Sequence, residues 1–388
     1  MRRFPLNFVA VVVAANAAAL LTVYHAVADD GYTHVEIADC HVHLLDFLQN
    51  GDFYADGRFI RGGTANQALR PGQRITAILK MMDHAHVSHA MIMGMPFVKK
   101  WSQNDAARGG YYLSSDSSVD PARETDYTIG EAVIDFKRLS DNETQLQRLH
   151  PFICGFNSTD LGAVDRISKT IKAYPGVWKG IGEVMSRHDD LTNLMTGERP
   201  SADHPALHRV YDFAGIHKMP VSIHHNIAPI SPDGGFQDPL YLPELIDCFE
   251  KHPETNFIWC HAGISRRIVV KNLPAILGQV LSDHGKHVYI DLSWVVLQDY
   301  VLKDTKTWAQ LIEKYPGNFM VGSDNVGGLR NYVSTIRAYD KLFAAFEDES
   351  VVAKVASQNF IQLMPDKGIT LPADYKYPET KYVPRQSR

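Results

Sequence analysis

Short apolar runs rich in β-branched and aromatic residues recur along this chain, and five of them stop at a residue that can bind a metal or move a proton. Val35-Glu36-Ile37-Ala38-Asp39-Cys40 leads into His41-Val42-His43. Val177-Trp178-Lys179-Gly180-Ile181-Gly182 ends at Glu183, and Pro220-Val221-Ser222-Ile223 ends at His224. Phe257-Ile258-Trp259-Cys260 ends at His261, and Phe319-Met320-Val321-Gly322-Ser323 ends at Asp324. Alternate residues of a strand face one side, so His41 and His43 can grip a single cation through neutral imidazole nitrogens. A lone His-x-His carries little weight in a chain with 18 histidines. Five strand ends reading His, Glu, His, His and Asp carry far more.

Segments of helical periodicity separate these runs, near residues 72–86, 126–139, 160–173, 205–217, 240–251, 265–282, 305–314 and 329–347. The remaining strands are expected at residues 89–94, 151–156 and 287–291. Alternating strands and helices, with polar groups gathered at strand C-termini, predict a (β/α)8 TIM barrel with its site on that face. Two connections are long, residues 96–124 after the second strand and 185–203 after the fourth. Such insertions stand over a site as walls or lids, or run as surface excursions.

The first 28 residues read differently from the rest. Arg2-Arg3 precede a mostly apolar stretch over residues 8–23, and Ala26-Val27-Ala28 gives a small-x-small site before Asp29-Asp30. That layout predicts a secretory signal peptide over residues 1–28, with a barrel domain over 29–388 and an exported, periplasmic or secreted product. An uncleaved anchor is the alternative, because the stretch approaches spanning length. With 388 residues, 45% of them hydrophobic, the rest is ample for one large core. Formal charge is −5 and no basic run appears, which argues against nucleic acid as a partner. The four cysteines, Cys40, Cys154, Cys248 and Cys260, show no metal or disulfide spacing and read as small buried residues.

From about Asp39 to about Met364 the chain resembles the metal-dependent amidohydrolase superfamily, in its amidohydrolase-2 branch. Asp39-Cys40-His41-Val42-His43, Gly180-Ile181-Gly182-Glu183, Pro220-Val221-Ser222-Ile223-His224, His261-Ala262-Gly263 and Gly322-Ser323-Asp324 carry the likeness. Val355-Ala356-Ser357-Gln358-Asn359-Phe360 is similar to the Asn-containing helix that closes such barrels. The resemblance implies one or two divalent ions, zinc first and manganese as the alternative, held by His41, His43, His224 and Asp324. It makes Asp324 both ligand and general base. His261 is then a metal ligand, or the group that activates water or polarises the substrate. Glu183 either bridges two cations or orients Arg187 or a substrate hydroxyl. The Pro-x-x-x-His pattern selects His224 over His225, which packs or faces the substrate.

In the loop after the fourth strand, Arg187 is suited to bidentate capture of a substrate carboxylate, or to an ion pair with a loop acid. His188 beside it and Trp294 beyond the seventh strand are further substrate-facing candidates. A divalent cation with an open position lowers the pKa of bound water to about 7. The expected activity is therefore hydrolysis of a small ester, lactone or amide, with His261 steadying the oxyanion. Non-oxidative decarboxylation of a hydroxylated aromatic or related acid is the alternative, and a non-catalytic ligand-binding barrel a third reading. The expected partner is a small molecule, with no stable membrane association after signal removal. A homo-oligomer is compatible with all of this.

Overall fold

The computed structural model describes residues 35–44, 71–94, 97–100, 110–113, 121–139, 143–189, 191–192, 199–325 and 329–378. The expected signal peptide lies outside the described residues. So do parts of both long loops, including Asp190.

Eight parallel strands pair in sequence order: β1 Ile37–His43, β2 Val87–Met93, β3 Leu149–Ile153, β4 Gly180–Ser186, β5 Val221–His225, β6 Phe257–Trp259, β7 Val288–Asp291 and β8 Phe319–Met320. β8 is only two residues long, yet the chain beyond it completes the ring. Cys40 N donates to Val321 O at 3.0 Å and His43 N to Asn325 O at 2.9 Å, so β1 closes on the eighth strand's extension. A helix follows each strand: α1 Pro71–Ala85, α2 Pro121–Leu139, α3 Ala163–Ala173, α4 Pro205–His217, α5 Leu242–Lys251, α6 Leu273–His284, α7 Thr305–Lys314 and α8 Leu329–Ala338. This is the (β/α)8 barrel that the alternation predicts.

The helices form where an apolar stripe meets a start signal. In α3 the buried Ala163, Val164, Ile167, Thr170 and Ile171 repeat at helical spacing against the sheet. Asp304 starts α7 by accepting a hydrogen bond from Thr307 N, and Pro205 opens α4 after the capping His204. Two boundaries differ from expectation. The stretch expected as helix from residue 265 begins only at Leu273, because 264–272 lies across the site face and its side chains are engaged there. The stretch from 329 breaks after Ala338 into a short Asp340–Phe343 helix. Within the first long loop an antiparallel pair, Phe97–Lys100 with Gly110–Leu113, stands apart from the barrel sheet.

Ala38, Cys40, Met91, Met93, Phe152, Ile258 and Met320 pack inside the barrel with Phe360 and Met364 of the C-terminal segment. Asn359 fastens that segment by donating to Pro316 O and Phe319 O, both at 2.8 Å. The expected closing helix is present over residues 350–363, with a π-turn at Lys354–Gln358.

Asp126 of α2 is fully buried and clamps the end of β3. Its carboxylate accepts Cys154 N at 3.0 Å and Gly155 N at 2.8 Å. Burial pushes its pKa from 3.8 up to about 7, against those two hydrogen bonds. Between these values the native protein holds a proton that the unfolded chain has released, so stability falls as pH rises through the window. The steepest slope is about 1.4 kcal/mol per pH unit for one proton. Urea unfolding at a series of pH values should show wild type losing stability relative to Asp126→Asn across this interval. Parallel curves for the two proteins would refute the assignment.

Candidate metal centre

All five sequence-marked strand ends converge at the C-terminal mouth of the barrel. Two of the ladders lose register where they deliver a ligand: β1 between Asp39 and Val42, and β4 between Ile181 and Val184. An irregularity of this kind re-aims a side chain that regular pleating would send elsewhere. Gly182 makes the second possible. Its φ is +139°, and a Cβ there would lie 2.4 Å from Ser222 O.

His41 Nε2 and His43 Nε2 face each other at 3.3 Å. Glu183 Oε2 lies 3.7 Å from the first and 3.6 Å from the second, and Asp324 Oδ1 lies 3.5 and 3.4 Å from them. Donors about 2.0–2.2 Å from one tetrahedral cation are separated by distances of this size. Each ring's other nitrogen points away. His41 Nδ1 donates to Asp291 Oδ2 at 2.9 Å, and His43 Nδ1 to Gly94 O at 2.8 Å. Both Nε2 lone pairs therefore face one point, which only positive charge can occupy. The donor set fits a divalent cation.

Glu183 has a second face. Its Oε1 lies 2.8 Å from His224 Nδ1 and 3.7 Å from His261 Nε2, giving another three-residue donor group. His224 Nε2 donates to Asn226 Oδ1 at 3.2 Å, and Asn226 Nδ2 in turn donates to Ser265 Oγ at 2.9 Å. His261 Nδ1 donates to Ser293 Oγ at 2.9 Å. His225 points the other way, with Ser186 Oγ and Tyr241 O as partners. Burial holds its pKa down at about 3, so it packs as a neutral ring.

Electrostatics mark the same place. Burial works against ionised Glu183, but His41 and the close rings of His224 and His261 hold its carboxyl well below the usual range. Burial likewise opposes a charged His41, yet Glu183, Asp324 and Asp291 hold its imidazole well above the ordinary histidine value. Backbone strain gathers here too. Of eight non-glycine residues with positive φ among the described residues, Arg187, His261, Ala262, Trp294 and Asp324 lie at this mouth.

The three substrate-facing candidates fare differently. The Nε and Nη2 atoms of Arg187 grip Glu244, the former at 2.9 Å, and the guanidinium lies 4.4 Å from the Tyr241 ring centroid. Its bidentate edge is taken by an acid of α5, so the ion-pair reading of Arg187 is the one realised, with a helix acid in place of a loop acid. His188 is buried with its ring 4.3 Å from that of His224. Its Nδ1 lies 3.2 Å from both Leu191 N and Asp189 Oδ1, and burial with the neighbouring His224 holds its pKa well below the usual value, so the ring is neutral. Trp294 stands 5.0 Å from His261 and 6.0 Å from His188, measured between ring centroids. Sequence reasoning missed Arg266, an exposed guanidinium 5.2 Å over the Trp294 ring. Its position five residues past His261 was the available signal.

No protein-family model matches the chain, and no curated protein matches it. Solved structures do. A probable 2-pyrone-4,6-dicarboxylic acid hydrolase from Acinetobacter baumannii, with citric acid bound, is similar at TM-score 0.50 and 12% identity, over 84% of this chain and 98% of that one. A 2,6-dihydroxybenzoate decarboxylase in complex with 2,6-dihydroxybenzoate is similar at TM-score 0.49 and 12% identity, over 85% and 98%. A 5-carboxyvanillate decarboxylase from Sphingomonas paucimobilis gives TM-score 0.47 and 16% identity, over 85% and 98%. What the first of these shares with the chain is the barrel fold.

Replacing His41 and His43 together with alanine should abolish cation binding by the first donor set. Elemental analysis of protein purified without chelator checks this, and full metal content in the double variant would refute it.

Proposed function

We propose that this chain is a metal-dependent hydrolase of the amidohydrolase superfamily, in its amidohydrolase-2 branch, acting on an ester, lactone or amide of a small organic acid. The observation that carries the hydrolase reading is Glu183, whose Oε2 faces His41 and His43 and whose Oε1 faces His224 and His261. His41, His43, Glu183 and Asp324 would hold one cation, and Glu183, His224 and His261 a second. The resemblance implies that one-cation members of the branch lack a ligand at this strand end. Zinc suits the nitrogen-rich donors best, with manganese the competitor.

When bound, the cations make water a nucleophile at neutral pH and polarise the scissile carbonyl. The protein's own groups do the rest. Asp324 accepts the proton of the attacking water, its carboxyl kept ionised by His41, His43 and His261 against the cost of burial. His188, its ring against those of His224 and Trp294, lines the substrate pocket in this reading. His261, placed with the donors by its 3.7 Å approach to Glu183, holds a cation in this reading and leaves oxyanion stabilisation to the centre as a whole. Trp294 walls the pocket.

Non-oxidative decarboxylation is the competing reading. Arg266 over Trp294 favours a substrate with a carboxylate, which both reactions accommodate. The export reading belongs to the same proposal and rests on residues 1–28 alone.

Turnover in oxygen-18 water separates the two reactions. Hydrolysis places label in the product acid, while decarboxylation releases carbon dioxide and leaves the other product unlabelled. Asp324→Asn should lower kcat by about 10²–10⁴-fold. Carbon dioxide release matching product formation would overturn the hydrolase reading.

A further inference from the structure

Asp291 ends β7 and is fully buried at the foot of the site. Its Oδ2 accepts His41 Nδ1 at 2.9 Å and Ser293 Oγ at 2.8 Å. Its Oδ1 accepts Ser293 N at 2.7 Å, which locks the carboxylate's orientation. The Ser293 hydroxyl, having spent its proton on Asp291, accepts His261 Nδ1 at 2.9 Å. One oxygen therefore fixes a histidine of each donor set, His41 directly and His261 through Ser293. In both rings the proton is drawn to Nδ1, and Nε2 is turned to the centre.

We infer that Asp291 is a positioning residue shared by both donor sets, so that the two cations are bound through one carboxylate beneath them. The inference rests on the two-cation reading above. Space for Asp291 is kept by the backbone on its far side. A Cβ on Gly322 would lie 2.8 Å from Asp291 Oδ1 and 3.0 Å from Ser293 Cβ. Glycine at that point of the Gly322-Ser323-Asp324 run thus leaves room for the carboxylate while the next two residues reach the site. An amide in place of the carboxylate keeps the shape and removes the charge. It also sets an N–H₂ or a weaker acceptor against His41 Nδ1 and the Ser293 hydroxyl. Ser293→Ala cuts only the arm to His261.

The asymmetry gives the test. Metal-free full-length protein is titrated with Co²⁺, and visible absorption follows geometry and stoichiometry at each step. Wild type should take up two equivalents. Asp291→Asn should weaken both steps by about 10–100-fold and shift both bands. Ser293→Ala should weaken one step by a similar factor and change only that step's band. Wild type that binds no Co²⁺, or a single equivalent, overturns the two-cation reading itself. Two equivalents in wild type with Ser293→Ala indistinguishable from it overturns the shared-positioning role alone, even should Asp291→Asn fail to fold. Asp291→Asn that folds and binds both equivalents as tightly as wild type does the same.

Discussion

The buried negative charge of Glu183 is the constraint around which the rest of the mouth is organised. The residue is 2% exposed, and four imidazoles, from His41, His43, His224 and His261, come within 4 Å of its carboxylate. An unpaired carboxylate in such a place costs several kcal/mol. Positive charge has to come from somewhere, and three other strand ends must be brought to that of β4 to supply it. Closing the barrel does so, since a ring of eight strands points the ends of β1, β4, β5 and β6 at one axis. Loss of register at Glu183 and at His41 is the local cost of aiming both inward.

Beneath this layer lies a second one of carboxylates that never meet the centre. Asp39 shares a strand face with His41 and His43. It accepts His41 N at 3.0 Å, Ser323 N at 2.9 Å and Ser323 Oγ at 2.6 Å. It thereby ties the first strand to the extension of the eighth at the seam where the ring closes. Asp291 does the same work between the first strand and the seventh. Hydrogen bonds from the outer nitrogens, of His41 to Asp291, His43 to Gly94 O and His261 to Ser293, fix which nitrogen of each ring faces inward, and hence what the upper layer can bind.

Much of this was legible in the sequence because strand geometry has a short period. His41-x-His43 was marked by alternation and the choice of His224 over His225 by the Pro-x-x-x-His pattern of the resemblance, and the structure turns His41, His43 and His224 to the site and His225 away from it. Asp291 was equally visible as an acid ending an apolar run. What hid it was its role, since nothing in the run says that the carboxylate turns under the site and not into it. Arg187 stayed between two readings for a different reason. Its partner, Glu244, is 57 positions away on α5, and pairing over that distance is decided by how the helix docks. The start of α6 was misjudged because residues 264–272 are apolar enough to read as helix, while tertiary contacts hold them elsewhere.

Those contacts explain how a mouth made of loops can present a fixed geometry. Arg267, in the segment after β6, donates from its backbone N to Asp189 Oδ2 at 3.1 Å and from Nη2 to Asp189 O at 2.8 Å. Asp189 follows His188 in the loop after β4, so the two loops that flank the second donor set are pinned to each other. Arg266, one residue earlier, is carried onto Trp294 from the seventh connection. His261, Ala262, Trp294 and Asp324 all hold left-handed backbone angles that side chains ordinarily avoid, at a cost of about 1–3 kcal/mol each. Such strain persists only where surrounding contacts determine the conformation, and here the same cross-ties provide them. Cross-ties of this kind hold the ligand-bearing loops against one another, which lowers the cost of assembling the site.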